Sequence, residues 1–196
     1  MRRAAAPLVA CALALQLAGC GSTPSSRFYT LSAVPPPAGA PSMLAVVVGP
    51  VTIPAAVDRP EIVVAVGPNE VRLDEFNRWV SPLASNIARV VAENLVALLG
   101  TPRVAASSIT LSADADYRAV IEVQRFETAP GDAATLDAVW SVRRFRDGKV
   151  QIGRTTAREP APDKGYDGVA AAHSRALARL SQDIAAAVRA LDSPAR

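Results

Sequence analysis

The segment Thr135–Phe145, which reads TLDAVWSVRRF, has the alternation that decides the fold. Every second position in it is apolar: Leu136, Ala138, Trp140 and Val142. This spacing is typical of a β-strand that turns one face toward a hydrophobic core. Asp147-Gly148 follows at once and is a strong signal for a tight hairpin turn. Residues 150–156 are therefore predicted to return as an antiparallel strand.

Further strands are predicted on the N-terminal side of this hairpin. They are apolar runs or alternate in polarity, and they comprise residues 44–48, 51–54, 62–66, 70–73, 103–105 and 117–126. The run LAVVV at 44–48 is uninterrupted, which is typical of a strand buried on both faces. Gly67-Pro68-Asn69 separates two of these segments and predicts a second hairpin.

Two segments have the periodicity of amphipathic helices. Ser81-Pro82 resembles an N-cap followed by proline at the first helical position, and Gly100 ends the apolar pattern, so a helix is predicted over 82–99. A longer helix is predicted over 168–191. Strands, a helix, more strands and a second helix predict an α/β fold, in which a mixed β-sheet packs with two main α-helices in a single domain.

The first twenty residues are predicted to lie outside this domain. Two arginines precede the uncharged run 4–17, which as a helix spans only about 21 Å against the roughly 30 Å of a bilayer core. Such a run is typical of a secretory signal. It ends in Leu17-Ala18-Gly19-Cys20, which resembles the lipobox of bacterial lipoproteins and implies cleavage after Gly19 and lipid attachment to Cys20. The alternative is a conventional signal peptide with an unmodified cysteine nearby.

Cleavage changes what the composition says about partners. The full chain has 21 basic and 18 acidic side chains, a net charge of +3. Loss of residues 1–19 removes Arg2 and Arg3 and leaves a net charge of +1, so the basic excess does not indicate a nucleic-acid partner. Cys20 becomes the only cysteine, and we expect neither a disulfide nor a cysteine-based metal site within one chain.

The sequence offers few groups for catalysis. His173 is the only histidine, and the neighbouring Ser174 does not face it on a helix. The chain has no G-x-S-x-G turn, no glycine-rich phosphate loop and no second histidine for a transition metal. We therefore expect no catalytic residue, no cofactor and no metal, and we interpret His173 as a packing residue. A lipid-anchored hydrolase that uses His173 is the enzymatic alternative.

The predicted 147–148 hairpin is basic. Arg143, Arg144 and Arg146 surround Phe145 there. Such a cluster is typical either of an edge strand that charge protects from aggregation or of a contact with anionic headgroups or an acidic partner.

Several segments, in their order and spacing, resemble one family, the ABC-type transport auxiliary lipoproteins of the PqiC/YmbA type. The segments that carry the resemblance run from the lipobox to about Leu191, and they are Arg27–Leu31, Gly49–Pro54, Asp58–Val63, Arg78-Trp79, Pro82-Leu83, Tyr117, Trp140, Ala172–Leu177, Leu180-Ser181 and Asp183-Ile184. The resemblance implies a signal peptide at 1–19, a lipidated cysteine and tether at 20–26, and one auxiliary domain at 27–192.

The resemblance also implies a function. The protein is expected to be a non-enzymatic accessory subunit that docks an MCE-domain periplasmic protein of an ABC-type intermembrane lipid transport system. Its expected place is the periplasmic face of the outer membrane, because the residue after Cys20 is Gly21, not the Asp that favours inner-membrane retention in enterobacteria. Self-association into a homo-oligomer is a further expectation. The alternative is an envelope structural or assembly lipoprotein unrelated to transport.

Two places are expected to form the partner interface. One is the polar corner Asp58-Arg59-Pro60, and the other is Arg78-Trp79 just before the first helix. Both assignments require exposure. Trp79 has two open interpretations, a core residue or a partner anchor, since Trp and Arg are enriched at binding hot spots.

Overall fold

A computed structural model describes residues 24–34, 37, 39–106, 114–163 and 165–193. The predicted signal peptide 1–19 and Cys20 lie outside these residues. Within the described ranges, each helix is too short or too polar to cross a membrane.

Eight strands and two long helices make up the domain. In chain order they are β1 (Arg27–Tyr29), β2 (Val46–Thr52), β3 (Glu61–Gly67), β4 (Glu70–Trp79), α1 (Leu83–Leu99), β5 (Val104–Ala106), β6 (Tyr117–Ala129), β7 (Ala133–Arg144), β8 (Val150–Pro160) and α2 (Tyr166–Asp192). The α/β fold with one mixed sheet and two helices is therefore confirmed.

Strand β6 is the common neighbour in the sheet. Along one edge it pairs antiparallel with β7, from Tyr117↔Arg144 to Ala129↔Ala133, and β8 continues the sheet beyond β7. The other edge of β6 is shared by two parallel neighbours, β2 over the first half and β3 at Val64↔Thr128. β5 pairs with β2, while β4 and then β1 extend the sheet beyond β3.

Both helices pack on one face of this sheet. α2 lies on β7 and β8, α1 lies on β2 and β5, and the helices contact each other. The alternating residues of the predicted hairpin face them, and Leu136, Ala138, Trp140 and Val142 are all buried. We call the opposite face of the sheet the outer face. Val63 and Ala65 point to it, because successive strand residues alternate between the two faces and Ile62 and Val64 belong to the core.

The predicted helices are confirmed with small shifts in their bounds. α1 begins at Leu83, and Pro82, not Ser81, stands at its N-cap position without a side-chain capping bond. Its end is as predicted, since Gly100 takes the left-handed conformation with φ 61° that glycine adopts easily. α2 extends over two further residues at its start and one at its end.

Two strand expectations are wrong. The strand predicted to end at residue 73 continues to Trp79, because β1 pairs with its last three residues and supplies backbone partners from a distant part of the chain. β7 is not an edge strand, since β8 covers it along 11 residue pairs. Of the basic cluster, Arg144 is buried and Arg143 is exposed.

Residues 32–34 tie the two helices to each other. The Ser32 N–H donates to Ser174 Oγ and the Val34 N–H donates to Asn94 Oδ1, each at 3.0 Å. Asn94 in turn donates from Nδ2 to Ser181 Oγ at 3.3 Å. These bonds explain why three polar side chains of the helices are buried, because each has a partner there.

We expect Gly153→Ala to destabilise the domain by about 1–3 kcal/mol, the usual effect of overpacking a core. A Cβ at Gly153 overlaps the indole of Trp140, which cannot easily yield because its Nε1–H donates to Thr155 Oγ1 at 3.0 Å. Urea denaturation measures the change. Gly67→Ala is the matched control, since its Cβ meets only Glu70 Cβ at 3.7 Å. Equal stability of the two variants contradicts the packing argument.

Candidate docking surface

The corner Asp58-Arg59-Pro60 lies exposed in the connection between β2 and β3. Backbone bonds hold it in place. The Arg59 N–H donates to the Val57 carbonyl at 2.9 Å, and the Trp79 N–H donates to the Pro60 carbonyl at 2.7 Å. The exposure expected of the corner is confirmed, and the second bond attaches the corner to the end of β4.

Arg78 is bound by an ion pair directly beside this corner. Its guanidinium contacts the Glu61 carboxylate across the β3–β4 pair, with 35% of the Arg78 side chain and 22% of the Glu61 side chain exposed. A backbone hydrogen bond and then Arg78 hold the pKa of Glu61 below its ordinary value. Arg78 thus reaches the surface as a partly covered group whose charge is already paired.

The expected exposure of Trp79 is wrong. Its side chain is only 5% exposed and packs edge-on against Phe126 and His173, with ring centroids 6.2 and 6.4 Å away. Successive strand residues point to opposite faces, so the residue after the partly exposed Arg78 turns toward the helices. Of its two interpretations, the core residue is the one that the structure bears out.

An apolar groove of about 190 Å³ lies next to the corner. Its apolar walls come from the β2–β3 connection and from the outer face of β3 and β4, and they are formed by Pro54, Ala56, Val57, Val63, Ala65 and Val71. This groove is not among the features predicted from the sequence. A signal existed in Ile62–Val66, where apolar residues occupy both faces of the strand and only one face meets the helices.

His173 belongs to the core beneath β6. It is fully buried, stacks on Phe126 with 3.8 Å between ring centroids, and pairs through Nε2 with Thr128 Oγ1 at 3.0 Å. Its neighbour Ser174 donates to the Ala170 carbonyl instead of facing the imidazole. The packing interpretation of His173 is confirmed, and the structure does not assemble it with Ser174 as a base and nucleophile.

The basic hairpin lies at the other end of the sheet, beside a groove of about 800 Å³. Arg144 has a structural role there, because it forms an ion pair with Asp147 and donates a hydrogen bond to the Leu191 carbonyl at the end of α2. The bond to Arg144 lowers the pKa of Asp147 to about 2. Phe145 and Arg146 line the groove and are exposed.

Across the described ranges, no three His, Cys, Asp or Glu side chains lie close enough to hold a metal ion.

Comparisons with known proteins identify relatives by sequence and by fold. A family model described as "ABC-type transport auxiliary lipoprotein component" matches residues 29–185. A crystal structure of a Xanthomonas campestris protein with the family model DUF330 is 22% identical, with a TM-score of 0.66 over 83% of this chain and 94% of that one. The crystal structure of an uncharacterized protein is 19% identical, with a TM-score of 0.69 over 84% and 99%. These structures share the fold. Among curated proteins, none matches the chain.

We expect Trp79→Ala to lower the free energy of unfolding by about 3–5 kcal/mol, as for other large-to-small changes in cores. Arg78→Ala, one residue earlier, removes a partly exposed ion pair and is expected to cost less than about 1 kcal/mol. Urea denaturation of both variants measures the difference. An unchanged midpoint for Trp79→Ala contradicts the core position of the side chain.

The buried histidine makes stability depend on pH. Burial lowers the pKa of His173 from 6.5 to about 3, so the folded chain keeps it neutral while the unfolded chain binds a proton as the pH falls through 6.5. The contribution of neutral His173 to the free energy of unfolding is therefore fully present above pH 6.5 and decreases as the pH falls toward 3. Between pH 7.5 and pH 5.5 we expect the free energy of unfolding to fall by about 1.4 kcal/mol. Urea denaturation at both pH values measures it.

His173→Gln is the control for this experiment, because glutamine keeps a polar side chain but does not titrate. Its stability is expected to be lower at both pH values and nearly equal between them. If the variant loses as much stability as the original chain between pH 7.5 and 5.5, His173 is not the titrating group.

Proposed function

Because the chain belongs to the family of ABC-type transport auxiliary lipoprotein components, we propose that it serves an MCE-domain/ABC-type intermembrane lipid transport system. In this proposal it is a non-enzymatic subunit at the periplasmic face of the outer membrane. It docks the periplasmic bridging protein there and so supports the integrity of the envelope. Self-association of the chain stays a prediction.

The proposed anchor is Cys20, freed by removal of the signal peptide 1–19. Each buried methylene of an acyl chain contributes about 0.8 kcal/mol, so several chains attach the protein almost irreversibly. The six residues 21–26 between Cys20 and the domain 27–192 reach at most about 20 Å when extended. The domain therefore stays close to the membrane, where a partner that spans the periplasm ends.

The observation that carries the docking proposal is the exposed corner Asp58-Arg59-Pro60 beside the apolar groove. Protein interfaces combine an apolar centre with a polar, charged rim. The groove offers the centre through Val57 and Ala65, and the corner offers the rim. Trp79 supports the surface from below through the backbone bond from its N–H to the Pro60 carbonyl, so its side chain is no longer part of the proposed contact.

Arg59→Glu tests this surface in the full-length lipoprotein, by copurification with the MCE-domain protein from solubilised membranes. We expect recovery of the partner to fall about tenfold, which corresponds to about 1.4 kcal/mol of binding free energy. The matched control is Arg179→Glu, a charge reversal of the same size at an exposed position of α2, on the helix side of the domain. This control is expected to retain the partner.

Two results contradict the proposal in different ways. If Arg59→Glu and Arg179→Glu retain the partner equally, docking occurs elsewhere on the domain. If the unaltered lipoprotein recovers no MCE-domain protein, the assignment to this transport system is wrong. Thermal denaturation of both variants checks that neither change unfolds the domain.

A further inference from the structure

The β3–β4 hairpin is exposed over its outer half. From residue 66 to residue 73 every position except Gly67 is exposed, including the apolar side chains Val66, Val71 and Leu73 at 48, 63 and 44%. Asp74 is where this hairpin meets the first residue of α2, because it accepts a hydrogen bond from the Tyr166 hydroxyl. The five residues from Asp74 to Asn69 place the tip about 17 Å beyond that contact, at about 3.3 Å per residue.

The N-terminal segment leaves the domain on the same side. β1 runs parallel to β4 with Arg27 opposite Asn77, so the residues before Arg27 continue toward the hairpin tip. Pro24 and Ser25 accordingly line a groove with Phe76 and Tyr166. Four more residues lead back from Pro24 to Cys20 and span at most about 14 Å. The length of the chain therefore limits Cys20 to within about 14 Å of Pro24, which lies beside the same hairpin.

We propose that the tip of the β3–β4 hairpin is a second membrane contact, which buries Val66, Pro68 and Val71 in the surface of the phospholipid bilayer that holds the Cys20 lipid. Val71, the groove residue nearest the tip, then contacts lipid, and Val57 and Ala65 remain for the protein partner. This inference rests on the proposed lipid anchor. The length of the tether keeps the bilayer surface within about 14 Å of Pro24, and the exposed tip lies on the side of the domain to which β1 leads back. Exposed apolar side chains there leave water when they enter the boundary between headgroups and acyl chains.

The distribution of apolar residues favours lipid over a protein partner. Val66 shares a face of the strand with Val64, whereas Val71 pairs with Ala65 on the outer face, so the tip is apolar on both faces. A protein surface covers one face of a projecting ribbon, but a fluid lipid layer surrounds both. Glu70 and Arg72 have opposite charges, so apolar contact rather than electrostatic attraction provides the binding.

A second contact gives the domain one orientation. α2 has 27 residues, begins beside the tether and extends about 40 Å at 1.5 Å per residue. It ends at Asp192, which lines the groove beside the basic hairpin. That groove is then held far from the lipid, and the corner Asp58-Arg59-Pro60 stays at the side of the domain, accessible to a partner.

The experiment uses the full-length lipoprotein with Val66→Cys, labelled with an environment-sensitive fluorophore and reconstituted into phosphatidylethanolamine–phosphatidylglycerol vesicles. The thiol of Cys20 is acylated in this proposal, so the label enters only at position 66. We expect spin-labelled lipids to remove about half of the fluorescence, because amphipathic contacts lie about 5–10 Å into the boundary. Ile152→Cys is the matched control, since Ile152 is an exposed strand residue of β8 near the far end of the sheet. Its label is expected to stay in water and unquenched.

The outcomes separate the hairpin from the anchor. Lipoprotein that floats with the vesicles while position 66 is as unquenched as position 152 overturns the membrane contact and leaves the anchor standing. A label at position 66 that is shielded from water but not quenched by lipid indicates a second protein copy, and this also overturns the proposal. If the unaltered chain floats no better than Cys20→Ser, the anchor fails, and the hairpin contact that rests on it fails with it.

Discussion

The pairing of strand β6 is the constraint on which the rest of the structure depends. A buried strand must satisfy the backbone N–H and C=O groups on both of its edges. β7 satisfies one edge along all of β6, whereas the other edge is divided between β2 and β3. The chain therefore has to leave the sheet after Thr52 and return at Glu61, and the corner Asp58-Arg59-Pro60 lies in that excursion. A register shift between Val123 and Arg125 marks the same place on β6.

The same division explains why the proposed docking surface and the core differ so strongly. The helices cover one face of the sheet, and there Trp79 and Phe126 of the sheet pack against His173 of α2. The outer face has no such helical layer in the described ranges, and Val63 and Ala65 remain beside a shallow apolar groove. Adjacent residues of a strand thus serve different purposes, with Trp79 stabilising the core while Arg78 holds the corner through Glu61.

The two ends of the domain are suited to different surroundings. At one end residues 24–26, the start of α2 and the β3–β4 hairpin lie together. At the other end Arg144 links the turn after β7 to the last turn of α2, and exposed Phe145 and Arg146 border a wide groove. In the proposed arrangement the first end faces the membrane, and the second end lies about 40 Å away along α2.

The sequence by itself determined both helices, most of the strands and the fold class. The signals for these elements are local, and they are the alternation over Thr135–Phe145, the helical periodicity and Gly100. Such a signal lies within about a dozen residues and does not depend on distant parts of the chain. The exposure of the corner was also predictable, because a charged Asp-Arg-Pro turn is rarely buried. Only the tertiary structure decided that Trp79 is buried and that β4 continues to it. Both depend on β1, some 50 residues earlier, and on a strand order that pairs Val64 with Thr128. The groove likewise exists only because the helices cover one of the two apolar faces of β3.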